Sequence, residues 1–163
     1  MIEMKVAGIA IDGGTRNPVI LLRDSSQRRQ LPIFISPEQS RAMRSVLEGE
    51  KTSRPMTHDL IVSLITAWDM TLQRVVIHAL RDNTFYAGMT VSNGKEKKEI
   101  DARPSDAISV ALRTDAPIWV MEEVILDAAM PVDREADAAE KGAFAAFLPD
   151  ISPADFAERG RSV

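Results

Sequence analysis

The chain contains no cysteine in 163 residues, which rules out a disulfide, a thiolate zinc site and a cysteine nucleophile. Histidine is almost as scarce. With only His58 and His78 present, a histidine-rich metal centre is excluded, and any metal would rest mainly on carboxylates, as hard ions such as Mg²⁺ or Mn²⁺ do. Aromatic residues make up 5% and do not interleave with basic ones, so there is no base-stacking platform of the kind single-stranded nucleic acid uses. No apolar run approaches the roughly 20 residues of a membrane helix. The start, Met1-Ile2-Glu3-Met4-Lys5, also lacks the basic-then-apolar layout of a signal peptide. The expectation is a cytoplasmic protein without a membrane partner. Walker A, dinucleotide-binding, G-x-S-x-G and H-E-x-x-H patterns are all missing, and Gly13-Gly14 is an isolated turn pair.

What is present is a composition of 45% hydrophobic and 27% charged residues, suited to one domain that buries roughly two-thirds of its unfolded surface. The net charge of −4 is unevenly placed. Residues 1–121 hold 16 Lys and Arg against 14 Asp and Glu, whereas residues 122–163 hold 4 against 10. The acid is in the tail. A body at +2 is too weakly basic to argue for phosphate-driven binding by charge alone.

Strand-like runs are predicted over 4–11, 18–23 and 29–35, with Pro32 making the third an edge or bulged strand because it cannot donate to a ladder. Ser36-Pro37-Glu38-Gln39 reads as an N-cap followed by a proline at the first helical position, so a helix should run from Pro37 to Glu48 and stop at Gly49. A second helix is expected from Thr57, capped by the Thr57 hydroxyl, with Leu60, Ile61, Leu64, Ile65 and Trp68 as a stripe facing the core. Three further strands, 72–80, 84–91 and 95–101, are joined by Asp82-Asn83 and by Asn93-Gly94, a strong hairpin signal. Pro104 then opens a helix to Arg113 that carries Ala107, Ile108, Ala111 and Leu112 on one face, and Pro117–Met121 reads as a last strand. The reading is α+β: a compact domain, 1–130, of mixed and mainly antiparallel sheet with packed helices, with a βββα pseudo-repeat suggested by the two proline-opened helices. Residues 131–163 form an acidic, partly helical extension, with a helix from Ala136 to Leu148.

Two polar clusters remain as candidate chemistry. One is Glu48, Glu50, Lys51, Arg54, His58 and Asp59 around the helix-to-helix loop; the other is Asp101, Arg103, Ser105 and Asp106 at the corner before the Pro104 helix. Each mixes carboxylates that could act as base or hold a metal with cations that could hold a phosphate. A plainer account is open for both. Asp59 and Asp106 lie in first helical turns, where free N–H groups and the helix dipole favour a carboxylate in any case. Lys95, Lys97 and Lys98 read as a solvated hairpin, and His78, within a strand, as structural.

The stretches L-P-I-F-I, E-G-E-K-x-x-R-P-M-T-H-D-L, D-N-T-F-Y-A, D-A-R-P-S-D-A-I-S-V-A-L-R and A-P-I-W-V, in this order, resemble the bifunctional nuclease family, and F-L-P-D-I-S-P-A-D-F resembles the C-terminal extension of its actinobacterial members. The resemblance implies a compact α+β domain, a homo-oligomer with a dimer favoured, and nuclease activity on DNA and RNA with little sequence preference. By position it singles out His58, Asp59, Arg103 and Asp106 as catalytic, and Arg54, Lys51 and Ser105 as substrate-binding. Asp59, Asp106 and Asp101 become candidate ligands of Mg²⁺ or Mn²⁺. The rival expectation is a non-catalytic module that recognises an anionic ligand through Arg54 and Arg103.

Overall fold

A computed structural model describes residues 1–50 and 52–132. The helix expected from Ala136 to Leu148, and nearly all of the acidic extension, lie outside the described residues. Three strands come first, β1 (Ile2–Ile11), β2 (Pro18–Asp24) and β3 (Arg29–Phe34), then the helices α1 (Pro37–Leu47) and α2 (Thr57–Ala67). Strands β4 (Thr71–Arg81), β5 (Thr84–Ser92) and β6 (Lys97–Ala102) follow, then α3 (Pro104–Thr114), β7 (Ile118–Val120), α4 (Glu122–Ala128) and the short β8 (Met130–Pro131).

The turns form for the reasons their residues suggest. Asp82 and Asn83 take φ of 48° and 57°, so Arg81 and Thr84 pair across a two-residue turn whose twist matches the strands. At the β5–β6 turn, Asn93 Oδ1 accepts from the backbone N–H groups of Lys95 and Glu96, and Gly94 takes φ 87°, which a side chain would strain. Ser36 caps α1 reciprocally: its Oγ accepts from Gln39 N at 3.2 Å, and Gln39 Oε1 accepts from Ser36 N at 2.8 Å.

The eight strands form one sheet in the order β6-β5-β4-β7-β1-β2-β3-β8. All neighbours are antiparallel except β4 and β7, so the α+β class with a mixed, mainly antiparallel sheet is what the chain adopts. Two meanders, β1-β2-β3 and β4-β5-β6, each lead to a proline-opened helix, and β7 lies between their first strands. Pro32 pairs with Leu21 of β2, while β8 meets only Arg29 and Gln30, so the proline's missing donor disturbs no ladder on its outer side.

One face of the sheet is covered. Ile20, Leu22, Val75, Ile77, Ala87, Met89 and Val120 point into a single core with Met43 of α1, Ala107, Ile108 and Val110 of α3 and Val124 of α4. Because strand side chains alternate, Arg74, Val76, Gly88, Thr90, Glu99 and Asp101 fall on the opposite face, where they line a separate cleft.

The stripe expected on α2 does not face the core as a unit. Leu60, Leu64 and Trp68 are exposed, Trp68 at 76%, whereas Ile61, Val62 and Ile65 pack against the core. The reason lies outside the helix: Asp59 is fixed to α3, and that contact sets the roll of α2. Thr57 does not cap the helix either. Met56 is the N-cap residue, and its N–H donates to Asp59 Oδ2 at 2.8 Å. Helix α4, with Val124 and Ile125 buried, was not expected from the sequence.

Candidate functional site

Helix α3 is the hub on which α1 and α2 dock. Its first turn buries Pro104, Ser105 and Ala107, leaving Asp106 partly open. From α1, Gln39 Nε2 donates to Ser105 Oγ at 2.7 Å. From α2, His58 Nε2 lies 3.4 Å from Asp106 Oδ1, and Asp59 Oδ1 accepts from Arg113 Nε at 2.5 Å. The guanidinium of Arg113 also donates to the carbonyls of Ser109, at 2.9 Å, and Ala42, at 3.2 Å, so this one buried side chain ties three helices together.

Asp106 is the centre of the corner. Its Oδ2 accepts from Arg103 Nε at 2.7 Å while Oδ1 faces His58. Burial works against its charge, but the hydrogen bonds from Arg103 and His58, together with their charge, outweigh it and hold the carboxyl below the usual range. Arg103 is raised in turn by Asp106. An ionised carboxylate only accepts, so the His58 nitrogen that faces it, Nε2, carries the hydrogen, and in neutral histidine the lone pair is on Nδ1. His58 is largely buried, its side chain 12% exposed, whereas Arg103 is 73% exposed. Chemically, this is an oriented imidazole beside a cation presented to solvent, whose terminal amino groups have no partner among the described residues.

The other candidate residues divide by place. Asp59 adjoins His58 but has both oxygens engaged, by Arg113 and by Met56 N–H, and these bonds, Arg113 foremost, hold its pKa low. Ser105 is buried against Gln39, and its carbonyl accepts from Ser109. Arg54 is exposed, and its carbonyl accepts from Thr52 Oγ1. Asp101 of β6 pairs with Gly88 of β5 and lies on the sheet face opposite the core, away from Asp106. Lys51 lies outside the described residues. Thus His58, Asp59, Arg103 and Asp106 come together at α3, and Asp101 does not join them.

For a divalent ion the donor set does not fit. No group of three His, Asp or Glu side chains converges among the described residues, and the two carboxylates at the corner are neutralised by Arg113 and Arg103. Mg²⁺ bound by one or two carboxylates needs them free to approach within about 2.1 Å.

Sequence reasoning missed Arg113 and Gln39. The signal for Arg113 was its seven-residue offset from Asp106, two turns along the same helix, which places it on the Asp106 side of α3. Nothing local marked Gln39 beyond its capping role.

The sequence model of the bifunctional nuclease domain matches residues 20–133. An uncharacterized protein of Mycobacterium tuberculosis is 36% identical over 162 residues, covering 94% of this chain and 97% of its own length. Bifunctional nuclease 1 of Oryza sativa subsp. indica is 22% identical over 116 residues, 69% of this chain but only 35% of the rice protein. Bifunctional nuclease of Oryza minuta matches to the same extent, 22% over 116 residues.

Proposed function

Because the chain belongs to the bifunctional nuclease domain family, we propose that it hydrolyses phosphodiester bonds of DNA or RNA at the His58–Asp106–Arg103 corner, with little sequence preference. The observation that carries this reading is the shared carboxylate: Asp106 holds His58 by one oxygen and Arg103 by the other. In the proposed reaction His58 Nδ1 takes the proton of the attacking water, and Asp106 stabilises the imidazolium that results. As the water oxygen bonds to phosphorus, the opposite P–O ester bond breaks; the departing sugar oxygen takes a proton from solvent, and the imidazolium returns its own to water. Arg103, its Nε held by Asp106, turns its terminal amino groups to the phosphoryl oxygens, where negative charge grows as the water attacks in line. Arg54 is the second candidate for the phosphate. All these groups act on the phosphate and none on a base edge, which supports weak sequence preference.

No step is routed through Mg²⁺ or Mn²⁺, since the carboxylates that would hold the ion are engaged by arginines. A homo-oligomer, with a dimer favoured, and a cytoplasmic location belong to the same reading. Among the described residues no helix is long and apolar enough to cross a membrane. The test is an assay of the purified protein on single- and double-stranded DNA and RNA, with Mg²⁺, with Mn²⁺ and with chelator, alongside His58→Ala and Arg103→Ala. Cleavage that survives both substitutions would remove the assigned site. Tight binding of these polymers with no cleavage under any condition would favour the rival, anion recognition through Arg54 and Arg103.

A further inference from the structure

The weakly basic body conceals a local concentration of charge. A cleft of about 320 Å³ opens between the β1–β2 turn and the outer side of α1, lined by Ile11, Arg16, Pro18, Ser40, Arg41 and Arg44, with Pro37 at its end. Three of these are arginines, all exposed. Arg16 and Arg44 have no side-chain hydrogen bond or ion pair among the described residues. Among the described residues Arg41 has an electrostatic interaction with Glu38, and that carboxylate is held first by its own backbone N–H and by Ser36, and least by Arg41. Asp12 is ionised but oriented within its turn, where Oδ2 accepts from Thr15 N and Thr15 Oγ1 at 2.7 Å.

The placement of these arginines is fixed by the backbone. Arg41 and Arg44, three residues apart, share one side of α1. Arg16 sits at φ 63° in a turn closed by Arg16 N to Asp12 O and by Asp12 N to Asn17 O, both at 2.9 Å. A non-glycine residue rarely adopts that region, so the turn holds Arg16 across from α1 against a local preference. On the same helix Gln39 points the other way, to Ser105 beside Asp106. At roughly 100° per residue, Arg41 and Arg44 stand about 140–160° round the helix from Gln39. The cleft and the Gln39–Ser105 contact therefore lie on opposite sides of α1, whose diameter with side chains is about 10–12 Å. A nucleic-acid strand rising about 3.4 Å or more per nucleotide crosses that distance in a few nucleotides.

We infer that Arg16, Arg41 and Arg44 form a second, non-catalytic phosphate-binding cleft that holds the backbone of a nucleic-acid strand a few nucleotides from the bond at the His58–Asp106–Arg103 corner. The inference rests on the nuclease reading for the position of the cleaved bond, but not for the binding itself. Arginine suits the role because its charge is permanent and its fork matches a phosphate, and Ile11 and Pro18 give the cleft an apolar wall against the sugar. The cleft makes the preferred substrate a strand rather than a dinucleotide.

The test measures binding of a fluorescein-labelled, phosphorothioate-linked single-stranded 20-mer, which resists cleavage, from low to high KCl. The proteins are the wild type, the triple variant Arg16→Gln/Arg41→Gln/Arg44→Gln and the charge-retaining Arg41→Lys/Arg44→Lys. Hydrolysis of the small diester bis(p-nitrophenyl) phosphate is followed in parallel. The triple variant should lower the slope of log K against log[salt] by about 2, close to 0.7 per lost phosphate contact on a single strand, and the lysine variant should keep most of the slope. Its thermal midpoint and its hydrolysis of the small diester should match the wild type. An unchanged slope in a folded triple variant overturns the cleft, as does loss of binding to polyglutamate with the 20-mer unaffected, which would assign the cleft to an acidic protein. A lowered slope with no cleavage of an unmodified 20-mer by any of the proteins upholds the cleft and removes the cleavage reading, so the two fail separately.

Discussion

Arg113 and Asp59, 54 residues apart in the chain, meet through guanidinium Nε and carboxylate Oδ1 at 2.5 Å. Asp59 also accepts the N–H of Met56, so the carboxylate that opens α2 is the one that fastens it to α3. The fixed roll of α2 brings His58 to Asp106 and turns Leu60, Leu64 and Trp68 outward. Arg113 thus anchors the helix turn that carries His58.

Replacing Arg113 with alanine should cost about 2–4 kcal/mol in urea unfolding, because a partly buried carboxylate and two carbonyls lose their donor together. Arg113→Lys keeps the charge but not the fork, and should fall between. A loss below about 0.5 kcal/mol for the alanine variant would show that the three helices hold without the arginine.

Acid should unfold the protein through the same carboxylates. Asp59 and Asp106 both bind protons more weakly when folded than when unfolded, Asp59 because of Arg113 first, and Asp106 because hydrogen bonds from Arg103 and His58 outweigh its burial. Their contribution is then complete above the unfolded carboxyl value of about 3.9 and is lost as pH falls through the depressed folded values. Thermal midpoints should change little with these groups from pH 7 to about 5 and drop below about pH 4. Asp59→Asn should lessen that acid slope, and an identical slope in this variant would exclude Asp59 as a source.

Activity and stability should separate at the corner. Asp106→Asn leaves His58 without a charged partner and should lower the cleavage rate by about 10²–10⁴. Arg103→Ala should lower activity while leaving the urea midpoint close to the wild type's, since the Arg103 side chain is 73% exposed and surface ion pairs contribute little. Cleavage rates on one substrate, set beside urea midpoints, would decide it; equal losses in both would make the corner structural.

The division of the α2 stripe can be measured too. Leu64→Ala should cost under about 1 kcal/mol, because Leu64 is 51% exposed, whereas Ile108→Ala, at 0%, should cost about 2–5 kcal/mol. A cost above about 2 kcal/mol for Leu64 would mean that its face is covered in solution, and sedimentation would then show whether a second copy covers it.

Much of the architecture is legible in the sequence because its signals are local. Ser36-Pro37 and Arg103-Pro104 start their helices, Gly49 at φ 67° lies just past the first, and Asp82-Asn83 and Asn93-Gly94 make their turns, since capping and left-handed φ depend on residues a few positions apart. The motif around His58 and the one around Asp106 could be picked out, and so could their residue types. Helix α4 was illegible: its seven residues bury only Val124 and Ile125, too short a pattern to show periodicity.

By itself the sequence determined most of the strands, turns and helices, α4 and β8 apart, and that any chemistry here must be done without cysteine and with two histidines. Tertiary structure alone decided which polar residues meet. Asp101 and Asp106 are five residues apart, yet the strand's alternation sends Asp101 to the sheet face opposite the core while Asp106 joins a histidine 48 residues away. Whether an apolar helix face is core or surface, and whether a carboxylate is free for a metal or held by an arginine, depends on groups distant in the chain. Hydrophobic periodicity gives a helix a preferred side, but a single charged contact such as Arg113–Asp59 can set its rotation, and that partner becomes visible only when α3 is packed against α2.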